Sequence, residues 1–176
     1  DLAGFASLRT LAVSNRGEAA RRLGQLEDAA RDLQAALAEQ QRLGSRMAAY
    51  PLVGLGHIHA DQGNLSLARA CFEEALALAE PSGDLQGLVP ALTGLALTVA
   101  AEDPAAATAL VDRALASGAS LARTQALLAA GWVALRRGEL DASCGYATAA
   151  ADANARSLTG AITPGAINFR LTISMT

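Results

Sequence analysis

Three glycines, two histidines and an aspartate crowd into GLGHIHADQGN, residues 54–64. Closely spaced glycines can let backbone amides cradle a phosphate, but that chemistry needs a strand before the loop and a helix after it. No strand precedes Gly54, so phosphate binding is not expected. His57, His59 and Asp61 are metal-ligand types. On a helix, however, residues two apart point about 200° apart, so the two imidazoles cannot converge on one ion. His59 falls at an apolar packing position and His57 on the opposite side. Neither a metal nor another cofactor is expected.

Catalytic constellations are equally absent from the sequence. There is no Ser-His-Asp arrangement with supporting context, no GK(S/T) loop, and the adjacent Glu73 and Glu74 diverge on a helix. The expectation is a protein that is not an enzyme. The basic pairs Arg21-Arg22 and Arg136-Arg137 each end an apolar helix just before a glycine. Complementing the helix C-terminal dipole, for ~0.3–1 kcal/mol, is the favoured role; gripping an acidic peptide is the alternative. Trp132 is the single tryptophan. It either fills space between elements or anchors a partner, since aromatic anchors dominate interface energies.

What positions these residues is a repeat. GQLEDAARDLQAAL at 24–37 aligns with GNLSLARACFEEAL at 63–76, each residue 39 further on, and Gly17 pairs with Gly56 at the same offset. GLALTVA at 94–100 echoes GLGHIHA at an offset of 40, and DRALAS at 112–117 echoes EEALAL at 39. A fourth copy matches Gly131, Gly138 and Leu140 with Gly56, Gly63 and Leu65 at an offset of 75. Apolar residues within each unit have helical spacing, and DQGN and EDP supply breaks between paired helices. Gly63 suits a left-handed C-cap, Asn64 an N-cap, and Asp103-Pro104 a cap followed by a helix start.

Composition supports helices. Hydrophobic residues make up 52% of the 176, but aromatics only 3%, so the core is alanine, leucine and valine, which suits close helix packing. A hairpin with so few large side chains must stack on its neighbours to bury its apolar face. The expected fold is all-α: a right-handed α-solenoid of about four helix–turn–helix hairpins. The repeat domain spans residues 1–156, with units at 10–47, 49–86, 89–122 and 124–156. The charge of −3 argues against direct nucleic-acid contact, and no run is apolar enough for a membrane span. Cys71 and Cys144 lie far apart outside any CxxC, which fits a reducing, cytoplasmic setting. The chain starts at Asp1 without a signal-peptide pattern, as expected for a segment of a longer or processed polypeptide.

Leu55-Gly56, Gly63, Ala68, Phe72 and Ala75 resemble the signature of the tetratricopeptide repeat. Gly17, Gly24, Ala29, Leu33 and Ala36 do so less completely, with Arg16 where an apolar residue belongs, and the fourth unit has Ser143 and Ala147 in packing slots. The resemblance covers roughly residues 10–153. It implies that first helices line a concave groove holding a protein or peptide. Glu18, Arg21, Arg22, Tyr50, His57, Asp61, Gln125, Trp132 and Arg136 are the groove candidates. Some members clamp a C-terminal carboxylate with Lys and Asn; the matching places here hold Ser14, Glu18, Val53 and His57, so that clamp is not expected. Repeats of this length, rich in alanine and arginine, also resemble the helical segment of MalT-like, LuxR-type bacterial ATPase regulators. That implies transcription regulation and signal transduction, through a small effector or a regulatory protein, with self-association. From Ser157 the sequence leaves the repeat. The non-repeat tail, 157–176, is expected to cover the last hairpin; a disordered end or foreign sequence are the alternatives.

Overall fold

The turns show why this sequence breaks where it does. Gly24, Gly63 and Gly138 take φ of 77°, 78° and 79°, a left-handed conformation that suits glycine. Behind each, the helix end closes in the same way. Gly63 N–H donates to Ala60 O (2.9 Å) and Asn64 N–H to His59 O (2.8 Å), and the pattern recurs at Gly24-Gln25 and Gly138-Glu139. The third hairpin turns differently: Asp103 accepts from Ala106 N–H at 2.9 Å, and Pro104 opens the following helix. Asn64 stands at the N-cap as expected, but its side chain makes no capping bond; its amide donates instead to Gln62 Oε1.

The structure, a computed structural model, describes residues 2–118 and 122–161. Eight α-helices run in order: α1 (Leu2–Arg22), α2 (Leu26–Arg42), α3 (Ala49–Asp61), α4 (Leu65–Ala79), α5 (Leu85–Val99), α6 (Pro104–Ala116), α7 (Arg123–Arg136) and α8 (Leu140–Ala161). A short 3-10 turn, Arg46–Ala48, leads into α3. No strand is present among the described residues. α8 continues to Ala161, so the first five residues of the tail extend the last helix; the rest, and with it the expected cover, lies outside the described residues.

Successive pairs form antiparallel hairpins, and each second helix packs on the first helix of its own hairpin and of the next. First helices also touch one another in sequence, α1 on α3, α3 on α5, α5 on α7. The result is an α-solenoid with the odd-numbered helices as an inner layer and the even-numbered helices outside. A regular stripe holds the layers together: Ala29, Leu33 and Ala36 on α2, Ala68, Phe72 and Ala75 on α4, Ala107, Val111 and Ala114 on α6 are all buried. The spacing i, i+4, i+7 keeps each set on one helix face.

The large residue in each stripe is matched by small ones on both neighbours. A Cβ on Gly56 would sit 2.7 Å from Phe72 Cε1, and one on Gly94 would overlap the same ring. Leu33 is held in the same way between Gly17 and Gly54, where added Cβ atoms would lie 2.8 and 2.7 Å from its side chain. In the third unit Val111 replaces phenylalanine, and the equivalent positions carry the buried alanines Ala96 and Ala129 in its cluster. Volume is conserved around the stripe while its distribution changes, as close packing demands.

Candidate functional site

The inner layer encloses a cleft of about 490 Å³. Its walls come from all four first helices: Ser14, Glu18, Arg21 and Arg22 on α1; Tyr50, Val53, Gly54 and His57 on α3; Gln86 and Pro90 on α5; Thr124, Gln125 and Leu128 on α7. Leu33 of α2 closes the floor. The repeat puts them there. Tyr50, Pro90 and Gln125 are equivalent positions at offsets of 40 and 75, as are Ser14, Val53 and Leu128 at 39 and 75 from their partners. One face of each helix is presented to the same concave side.

At the α1 end the charges are compensated. Arg21 donates from Nε and Nη2 to the two Glu18 oxygens at 2.9 and 3.0 Å, and from Nη1 to Asp61 Oδ2 at 2.6 Å, tying α1 to α3. Arg22 Nε adds a bond to Glu18 Oε1 at 2.8 Å. Burial by itself raises the Glu18 carboxyl pKa, but the bonds and positive charge of Arg21 and Arg22 outweigh it, and the group stays below its ordinary range. The Glu18 bonds raise the Arg21 pKa most, against burial and with help from Asp61. With two cations answered by two carboxylates, Arg21 is committed to holding the wall together.

His57 lies edge-on to Phe72, ring centroids 5.1 Å apart with planes at 69°. Burial, then the Arg21 charge, push its pKa down, with Glu18 and Asp61 opposing. It is a neutral imidazole near pH 7. The far wall is also uncharged. Gln125 Nε2 donates to Thr93 Oγ1 at 3.2 Å, while Thr93 donates to Val89 O (3.0 Å) and Pro90 O (3.1 Å).

Of the residues expected in the groove, the cleft brings together Glu18, Arg21, Arg22, Tyr50, His57 and Gln125. Asp61 stands behind Arg21. Trp132 and Arg136 lie one and two turns beyond Leu128 on α7, outside the cleft lining, with the Arg136 guanidinium 5.3 Å from the Trp132 ring centroid. Trp132 is 44% exposed, so it does not fill space between hairpins among the described residues. Gln86, Pro90, Thr124 and Leu128 were not anticipated. Pro90 was legible from the repeat offset that relates Tyr50 to Gln125; the others carry no signal beyond their helix face. Among the described residues no three of His, Cys, Asp and Glu gather as a metal site, and no helix is long and apolar enough to cross a membrane.

Comparison with known proteins agrees with this architecture. Residues 47–120, from the turn before α3 to beyond α6, match the tetratricopeptide repeat family. The crystal structure of BtubC (BKLC) from P. vanneervenii is similar in fold, with a TM-score of 0.64 and 18% identity over 97% of this chain and 72% of that one. No curated protein matches the chain. The chain is an all-α solenoid of paired helices, and its two central hairpins, within residues 47–120, match the tetratricopeptide repeat family.

Proposed function

We propose that the protein is a binding module that holds a peptide or protein segment in the trough of its first helices. The observation that carries this is the cleft itself: about 490 Å³, with side chains contributed by four separate hairpins. A surface assembled from that many repeats is elongated and suits an extended partner, and tetratricopeptide repeats generally mediate protein–protein interaction. The partner need not be acidic, because Glu18 and Asp61 already occupy Arg21.

The test is selection of short peptides from a displayed library on the immobilised protein, followed by two surface variants. Leu128→Glu places a charge in the trough at a residue 57% exposed; Leu67→Glu does the same on the outer helix α4, at 53% exposure. Selected peptides should lose capture by the first variant and keep it with the second. Equal capture by both would place the binding surface elsewhere.

A narrower version of this function is supported by the likeness of the repeats to those of MalT-like bacterial regulators. In it the module is the cytoplasmic sensor and self-association segment of a larger transcription regulator, and a small effector shares the trough. The cleft volume falls in the ~300–1,000 Å³ range of small-molecule sites. An open reading frame that encodes a nucleotide-binding loop ahead of Asp1 would support this version; a frame without one would remove it.

A further inference from the structure

The wall formed by α5 and α7 has a polarity that the repeat does not require. Pro90 lies inside α5, at its sixth residue. It has no N–H, so the carbonyl of Gln86, one turn earlier, lacks its regular helical donor. Gln86 and Pro90 share a helix face, and both line the cleft. This leaves a backbone carbonyl without its helical donor at a residue that lines the cleft.

A second acceptor is fixed by the bonding around Thr93. That hydroxyl has one proton, and it points to the Val89 and Pro90 carbonyls at 3.0 and 3.1 Å. Its oxygen must therefore accept from the Gln125 amide, which requires Nε2 rather than Oε1 on the Thr93 side. Oε1 is then left as an acceptor with no partner among the described residues, on a side chain that lines the same cleft. Thr93 is buried at 1% exposure, so water cannot easily replace it in setting that orientation.

We infer that the α5–α7 wall of the trough is an acceptor wall that binds an extended peptide through its backbone N–H groups, with Gln86 O and Gln125 Oε1 as the receiving atoms. This rests on the peptide-binding function proposed above and adds the atoms that would hold the chain. Backbone donors occur in every peptide, so the wall supplies affinity without a charge requirement, in keeping with the compensated Arg21–Glu18 wall opposite. Side-chain preference falls to Tyr50, Val53 and Leu128, the apolar and aromatic groups alongside.

The experiment uses an uncharged peptide selected on the intact protein. Pro90→Ala supplies an N–H that occupies the Gln86 carbonyl, and it removes a helix breaker, so the variant should melt higher yet bind the peptide roughly fivefold more weakly. Gln125→Leu should weaken binding to a similar degree. A peptide N-methylated at single backbone positions should lose affinity for the parent protein at one or two positions. At the position facing Gln86 the loss should vanish in Pro90→Ala. Unchanged affinity in Pro90→Ala, or methylation tolerated at every position, would overturn the acceptor wall. Those results would leave trough binding itself standing, which depends only on the Leu128→Glu comparison.

Discussion

At the scale of single residues, the molecule is organised around Phe72 and Leu33 and the glycines that make room for them. Phe72 is fully buried between Gly56 of its own hairpin and Gly94 of the next. Truncation to alanine would remove its contacts with both at once, and Phe72→Ala should cost about 3–5 kcal/mol by chemical denaturation. Gly94→Ala forces a methyl against the ring and should cost about 1–3 kcal/mol. In the Phe72→Leu background the same change should cost less, because the shorter side chain leaves room; equal costs in both backgrounds would mean that the two residues do not meet. His57 supplies a pH test. Its folded pKa is depressed by burial and by Arg21, so the folded protein takes up a proton less readily than the unfolded chain. The stabilisation is complete above about pH 6.5 and is lost as pH falls toward the folded value. The melting temperature should therefore drop between about pH 7.5 and about pH 5.5, and more shallowly in His57→Gln. The glycine partners of Phe72 were half legible in the sequence. Gly56 and its hairpin role follow from the repeat, whereas the contact of Gly94 with the preceding hairpin depends on how hairpins stack, which spacing alone does not report.

At the scale of elements, turn chemistry fixed most helix boundaries in advance. Gly63 and Asp103-Pro104 adopt the expected capping roles because the backbone conformations they favour leave few alternatives. Asn64 shows the limit of that inference: it holds the N-cap place, yet its side chain turns toward Gln62. Substituting Asp103, the cap that does bond, should accordingly matter more. Asp103→Ala should cost about 1 kcal/mol, and Asn64→Ala no more than a few tenths, in thermal unfolding of the two variants side by side. For the basic residues at the ends of first helices, the sequence points to the helix dipole or an anionic ligand as partner. Asp61, which holds Arg21, lies outside both expectations because that bond spans two hairpins and is set by their stacking, whereas the Glu18 bonds to Arg21 and Arg22 are local pairs three and four residues apart on one helix. The last helix, α8, runs on past residue 156, where the repeat is expected to end, to Ala161.

At the scale of the whole molecule, the sequence offset of about 39 residues becomes a geometric repeat, and the trough is its consequence. First helices touch in series while second helices fan out behind them, so equivalent residues of successive units converge on one concave surface. That convergence made Glu18, Tyr50, His57 and Gln125 predictable. It did not place Trp132, which shares a repeat position with His57 but lies on the last described first helix, beyond the cleft. The most direct test is an amide NMR titration of the protein with a selected peptide. Shift changes should be concentrated on α1, α3, α5 and α7 around Tyr50, Gln86 and Gln125. Changes confined to the outward faces of α2, α4 and α6 would contradict the assignment of the trough as the binding surface.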